Sequence, residues 1–138
     1  MKPKLQGIDH IHLYVNNKQQ AVNWYSDILG FRIHEPLKLW DIGAGPLTIE
    51  DESGTIHLAL FERDEYSKLT SLAFKTDGQG FIAWKDYLEA QSIQLRIADH
   101  QVTWSMYFND PFGHSHEITT NEYDAVRLIL DGRETLLG

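Results

Sequence analysis

Apolar and polar side chains alternate in the first recognisable element of this chain. In the segment 8–15, aliphatic residues at every second position fall on one face, and His10 and His12 fall on the other. This period of two predicts a half-buried strand. Positions 18–29 then place apolar residues at helical spacing, and Gly30 follows where a helix C-cap is expected. The chain therefore opens with a strand and an amphipathic helix.

The remainder of the first half reads as short strands separated by turn residues. Strands are predicted near 31–33, 39–42, 47–51 and 55–61. Glycine, proline and serine between these segments supply the turns. The first half therefore contains one strand, one helix and a further set of strands.

The second half repeats this order. A strand is predicted at 69–75, an amphipathic helix at 78–91, and strands near 93–97, 102–108 and 114–119. An internal repeat of this size indicates two copies of one supersecondary unit.

The repeat sets the predicted boundaries of a single domain. Module one covers about 7–62 and module two about 68–120. A C-terminal helix at about 121–131 lies outside the repeat.

Superimposing the halves aligns four polar positions. Ser71 follows His10 by 61 residues on the opening strands, and Glu117 follows His57 by 60 residues on the closing strands. All four side chains point away from the aliphatic face of their strand. One polar position on each of four strands predicts a site on the non-aliphatic faces.

A tight turn precedes the last of these positions. Asp110, Pro111 and Gly113 occupy the places that these residues prefer in a type I turn. Glu117 then lies in mid-strand, where an unpaired carboxylate is costly unless it has a partner. A divalent metal is the partner predicted here.

Charge and composition limit the classes of partner. The chain has 138 residues, no cysteine, seven histidines and a formal net charge of −8. The acidic balance argues against nucleic acid or an anionic membrane as a partner. Without cysteine, any metal must be held by histidine, carboxylate or neutral oxygen groups. No long apolar run or signal-peptide pattern is present, so the expected location is the cytoplasm.

Three segments resemble the vicinal oxygen chelate superfamily, which includes glyoxalases, fosfomycin and bleomycin resistance proteins and extradiol dioxygenases. They are IDHIHLYV at 8–15, the helix and strand start at 21–31, and YFNDPFGHSHE at 107–117. The resemblance implies an α+β fold in which two βαβββ modules form a curved mixed sheet around a cleft. It also implies a small-molecule substrate and a homodimer.

The resemblance also implies metal ligands. His10 and Glu117 match the ligands on the first and last strands, and His57 falls where glyoxalase I members carry a Glu ligand. These three residues suit Fe(II), Mn(II), Ni(II) or Zn(II). Ser71, however, falls where most metal-binding members carry a histidine. For His10 and His57, a structural role as hydrogen-bonded sheet histidines is the competing interpretation.

Further roles follow from the predicted face. Tyr107 is predicted to donate a hydrogen bond to a developing oxyanion, and His12 to orient a ligand or carry a proton. Trp40, Phe61 and Phe112 are predicted to line an apolar pocket together with the serine at position 71.

Two functions are compatible with this pattern. The first is a metal-dependent lyase, isomerase or dioxygenase that acts on a small oxygenated or conjugated molecule. The second is a metal-free module that binds a small molecule or sequesters an antibiotic. The serine at the usual histidine position favours the second function.

Overall fold

The computed structural model describes residues 1–137, which divide into two compact units. The first is Met1–Ser67 and the second begins at Lys68. Each unit carries its own four-stranded mixed sheet with the element order βαβββ. The predicted α+β class and the repeated order of elements are confirmed.

The first unit contains four strands, one α-helix and a short 3-10 helix. The elements are β1 (Ile11–Val15), α1 (Lys18–Leu29), β2 (Arg32–Ile33), a 3-10 helix (Glu35–Trp40), β3 (Leu47–Glu50) and β4 (His57–Glu62). The strand order is β1-β4-β3-β2, in which β1 and β4 are parallel and the other pairs are antiparallel.

One face of this sheet is the core of the first unit. Leu13, Val15, Leu58 and Leu60 are fully buried, and Ile49 is 1% exposed. Burial of an aliphatic side chain of this size stabilises a fold by roughly 1.5–3 kcal/mol. The opposite face carries the polar positions, as the alternation in the sequence predicts.

The predicted strand at 39–42 is wrong. The chain forms the 3-10 helix Glu35–Trp40 instead, with Pro36 in its first turn. Proline has a fixed φ and no backbone N–H, so it suits the start of a helix and not a strand ladder.

The second unit has the same strand order. Its elements are β5 (Leu72–Lys75), α2 (Gly78–Ala90), β6 (Arg96–Asp99), β7 (Trp104–Asn109), β8 (Ser115–Thr120) and α3 (Tyr123–Leu137). The order is β5-β8-β7-β6, with β5 and β8 parallel. The C-terminal helix begins two residues after the predicted start and continues to Leu137. Among residues 1–137, no helix combines the length and apolarity that crossing a membrane requires.

A buried carboxylate organises the turn between β7 and β8. Asp110 is 5% exposed and its Oδ1 accepts hydrogen bonds from the backbone N–H groups of Phe112 and His114, each at 2.9 Å. His114 Nδ1 in turn accepts from the backbone N–H of Leu69 at 3.0 Å. The turn therefore fixes the entry of β8 and the approach of the chain to β5.

Helix α1 has the two ends that its sequence predicts. The side chain of Asn17 accepts a hydrogen bond from the backbone N–H of Gln20 at 2.9 Å. Gly30 closes the helix at φ 76°, and its N–H donates to the carbonyl of Ser26. These contacts satisfy backbone groups that the ends of a helix otherwise leave without partners.

We expect Asn17→Ala to lower the free energy of unfolding by about 1 kcal/mol, because the variant loses the side-chain acceptor at the N-cap. Asn17→Ser keeps an acceptor and is expected to stay within a few tenths of a kcal/mol of the parent. Urea unfolding at pH 7 measures both differences. Equal losses in the two variants would contradict a capping role.

Candidate metal centre

Several of the predicted site residues lie on the non-aliphatic face of one of the two sheets. In the first unit, His12 and Tyr14 of β1 share a face with Ala59 and Phe61 of β4, as the parallel register requires. His57 lies on the same face at the start of β4.

His10 directly precedes β1 and is flanked by two polar partners. Its Nδ1 lies 2.8 Å from Oδ2 of Asp9, and its Nε2 lies 3.1 Å from Nε2 of His12. The two imidazole rings are stacked, with centroids 5.0 Å apart and an interplanar angle of 26°. On the other side, the His12 ring contacts Phe61 at a centroid distance of 4.8 Å. The structure therefore brings His12 to His10.

His57 is held by a carboxylate on the neighbouring strand. Glu50, the last residue of β3, pairs with His57 in the antiparallel register. Its Oε2 lies 3.3 Å from Nε2 of His57 and 3.0 Å from Nδ1 of His34, which follows β2. Arg32 Nε donates to Oε1 of the same carboxylate at 3.3 Å.

The Glu50 carboxylate is ionised at neutral pH. Burial raises the pKa of Glu50, but the hydrogen bonds from Arg32 and His34 and the attraction of both groups lower it by more. Its pKa consequently lies below the ordinary value of 4.5. The contacts of the Glu50 carboxylate with Arg32 and His34 therefore stabilise the fold at a pH above 4.5. This stabilisation is lost as the pH falls through the lower pKa that Glu50 has in the folded state.

His34, Glu50 and His57 form a group suited to a cation. Each offers one ligand atom, and these atoms lie within 4.8 Å of one another; no other such group of three His, Asp or Glu occurs among the described residues 1–137. The side chains are 22%, 14% and 23% exposed, in that order. The competing interpretation of His57, a hydrogen bond across the sheet, thus has a partner in Glu50.

Sequence reasoning missed His34 and Glu50. The signal available for Glu50 was the predicted hairpin, since strands at 47–51 and 55–61 joined by a short turn place positions 50 and 57 opposite each other. Asp51 supports that turn by accepting backbone hydrogen bonds from Thr55 and Ile56 at 3.0 and 2.9 Å. For His34, which lies outside any strand, no comparable signal exists.

Glu117 lies in the middle of β8 between two serine hydroxyls. Ser71 donates to Oε1 at 3.1 Å, and Ser105 of β7 donates to Oε2 at 2.7 Å. Each carboxylate oxygen has two lone pairs, so one hydroxyl on each leaves room for a further partner. Ser71 occupies the position where a histidine was expected and directly precedes β5. Its hydroxyl thus contacts the predicted ligand Glu117 on the neighbouring strand β8.

Tyr107 pairs with Glu117 across β7 and β8. Its hydroxyl lies 3.1 Å from Nε2 of His100, and the Arg96 guanidinium lies 4.2 Å above its ring centroid. Arg96 and Tyr107 also line a cavity of about 530 Å³ in the second unit. A cation over the ring face is an attractive arrangement that restrains the ring.

The residues predicted to line a pocket have three different environments. Phe61 is half-buried beside His12, whereas Trp40 ends the 3-10 helix and is 51% exposed. Phe112 is 5% exposed and belongs to the turn before β8. Pocket lining by these residues stays a prediction.

Within each unit, predicted site residues have hydrogen-bond partners close to one face of the sheet. In the first unit these are His10 with His12, and His57 with Glu50. In the second unit, Glu117 gathers the hydroxyls of Ser71 and Ser105. Because His10 and His57 belong to the first unit and Glu117 to the second, their common metal stays a prediction.

Comparisons with known proteins indicate one family. A model described as the Glyoxalase/Bleomycin resistance protein/Dioxygenase superfamily matches residues 7–118. Metallothiol transferase FosB from Staphylococcus haemolyticus is 27% identical over 126 residues, which cover 87% of each chain.

Two solved structures are similar in fold. Lactoylglutathione lyase from Agrobacterium tumefaciens has a TM-score of 0.69 at 20% identity, covering 88% of this chain and 97% of that one. A mutant of the fosfomycin resistance protein FosX from Listeria monocytogenes, complexed with Mn(II) and 1S,2S-dihydroxypropylphosphonic acid, has a TM-score of 0.70 at 15% identity, with coverages of 88% and 97%. Since the family model spans most of the sequence, the chain belongs to the Glyoxalase/Bleomycin resistance protein/Dioxygenase superfamily.

Proposed function

We propose that this protein is a divalent-metal-dependent enzyme that acts on a small oxygenated or thiol-conjugated molecule. His10, His57 and Glu117 are its metal ligands. The relatives named as a metallothiol transferase and as a fosfomycin resistance protein with Mn(II) support this class of activity. We also propose that the protein is cytoplasmic and that it is a homodimer, the latter as the superfamily resemblance implies.

One observation carries the proposal: each of the three ligand side chains is held by a neighbouring polar group. Asp9 contacts Nδ1 of His10, and Glu50 contacts Nε2 of His57. Metal-binding histidines characteristically donate their second ring N–H to a carboxylate, which fixes the ring and leaves the other nitrogen for the metal. The donor set thus fits a divalent ion, with Nε2 of His10 and Nδ1 of His57 as its ligand atoms.

Glu117 completes the set with a carboxylate oxygen. Hydrogen bonds from Ser71 and Ser105 restrain the side chain in mid-strand. Two histidines and one carboxylate suit Fe(II), Mn(II), Ni(II) or Zn(II) and leave coordination positions open for substrate.

A divalent ion bound there supplies Lewis-acid stabilisation to substrate oxygens that acquire negative charge. Tyr107 lies on β7 opposite Glu117. Its hydroxyl donates a hydrogen bond to a substrate oxygen. Arg96 over its ring and His100 at its hydroxyl restrain Tyr107 in that orientation. His12, whose Nε2 lies 3.1 Å from Nε2 of His10, orients that ligand or carries a proton.

Elemental analysis of protein purified from medium supplemented with Fe, Mn, Ni and Zn tests the proposal. We expect about one divalent ion per chain, because one set of ligands is proposed. Protein that contains no metal under these conditions, and takes up none on titration, would overturn it. Fosfomycin is the first substrate to assay, in the presence of Mn(II) and both with and without a low-molecular-weight thiol. The relatives suggest this choice, because one is named a metallothiol transferase and another a fosfomycin resistance protein with Mn(II).

A metal-free binding module is the second candidate function. The contact that favours it is the Ser71 hydroxyl on Glu117, which gives the carboxylate a protein partner where relatives are expected to supply a histidine. Titration of candidate small molecules into chelator-treated protein separates the two functions. Full-strength binding without metal supports the module, and binding that requires metal supports the enzyme.

A further inference from the structure

A strand with histidines two positions apart can chelate one metal ion. His12 lies in β1, His10 directly precedes it, and Ile11 between them turns to the opposite face. Their Nε2 atoms are 3.1 Å apart. Two nitrogens bound to one ion at about 2.0–2.1 Å are separated by roughly 2.9 Å at a 90° angle and by roughly 3.3 Å at the tetrahedral angle, so this spacing falls within the range of a chelating pair.

The hydrogen bonds around His10 define which nitrogen is available. Oδ2 of Asp9 accepts a hydrogen bond from Nδ1–H of His10, so in the neutral ring Nε2 carries the lone pair. The contact between the two Nε2 atoms then requires His12 to donate its Nε2–H to that lone pair. A divalent ion held by both Nε2 atoms would displace this single proton, which would move to Nδ1 of His12 or to solvent.

The second unit lacks the imidazole that the superfamily resemblance leads one to expect. Ser71 stands at that position, and its hydroxyl donates to Glu117. A serine hydroxyl is a much weaker ligand for a borderline divalent ion than a neutral imidazole. With a serine there, only three of the four aligned positions carry a strong metal ligand, and any further nitrogen donor must come from elsewhere.

We propose that His10 and His12 form a two-histidine chelate for the divalent ion, with His12 supplying the imidazole that position 71 lacks. The ligands are then His10, His12, His57 and Glu117. This assignment rests on the proposed function for the remaining ligands, and it replaces the orienting or proton-carrying role predicted for His12.

Titration of the metal-free protein with Co²⁺ tests the chelate, because the visible spectrum of bound Co²⁺ reports the number and geometry of its ligands. His12→Gln keeps a hydrogen-bond donor but removes the imidazole. We expect it to weaken Co²⁺ binding by at least about 100-fold, beyond the 10–100-fold that loss of an orienting partner costs, and to change the spectrum. Tyr14→Phe, on the same face of β1, is the matched control and is expected to leave both unchanged.

Each other outcome overturns a defined part of the assignment. If His10→Ala and Glu117→Gln abolish binding while His12→Gln binds within about threefold of the parent, the chelate is overturned and the proposed function stands. A weaker affinity with an unchanged spectrum makes His12 a positioning residue and also overturns the chelate. If the parent protein itself binds no Co²⁺, the proposed function falls as well. Circular dichroism and thermal unfolding of each variant establish that it is folded.

Discussion

Glu117→Gln is expected to reduce divalent-metal affinity by more than about 100-fold and to abolish metal-dependent turnover. The substitution preserves the size of the side chain and keeps one acceptor oxygen for one of the two serine hydroxyls, while the new NH2 group can donate to the oxygen of the other. It removes the negative charge that the proposed carboxylate ligand would offer to a hard or borderline cation. Loss of an orienting partner alone costs about 10–100-fold, so loss of a ligand is expected to exceed that range.

Isothermal titration calorimetry with Mn(II) and Zn(II) measures the loss of metal affinity in Glu117→Gln. The metal content of the purified variant provides a second measurement. Glu134→Gln makes the same chemical change at an exposed position of α3 and is the matched control. If the two variants bind metal equally well, Glu117 is not a ligand. An unchanged thermal unfolding midpoint in Glu117→Gln separates a loss of metal binding from a loss of folding.

Glu50→Gln is expected to weaken metal binding by about 10–100-fold without abolishing it. Glu50 contacts His57 and His34 through one oxygen and Arg32 through the other. An amide at this position loses the charge that polarises the His57 ring. Partners that orient a metal-binding histidine typically contribute an effect of this size.

Glu52→Gln, two residues further along the same hairpin and exposed, is the control for Glu50. Two results would contradict the orienting role. Unchanged affinity in Glu50→Gln would reduce its contact with His57 to a structural hydrogen bond. Complete loss of metal, matched by an equal loss in His34→Ala, would instead make Glu50 and His34 ligands themselves, as their convergent atoms allow.

Elements with local signals at both ends were predicted closely from the sequence. Helix α1 occupies 18–29 in both the prediction and the structure, because Gly30 ends it by adopting a backbone conformation that other residues avoid. The segment 39–42 carried an apolar pattern followed by Gly43, whereas Pro36 before it suits the start of a helix and not of a strand. There Pro36 began a 3-10 helix, and the tertiary context overrode the apparent strand.

The candidate site was predictable only as far as strand periodicity reaches. Alternation placed His57 and Glu117 on the non-aliphatic faces of β4 and β8, because a residue's face follows from its position along its own strand. The partners of these residues depend on the register between strands. That register set Glu50 opposite His57 and brought the Ser105 hydroxyl to Glu117, and a single strand's pattern does not contain it.

The serine hydroxyls on Glu117 have a consequence for the order in which the protein matures. Because Ser71 and Ser105 each donate a hydrogen bond to one oxygen of Glu117, this half-buried carboxylate has polar partners without an ion. Chain folding and metal loading are therefore separable events, unlike in small zinc domains whose structure depends on the ion. If the protein is the metal-dependent enzyme proposed above, we expect a cell short of metal to accumulate folded apoprotein, and the supply of metal to set its active fraction.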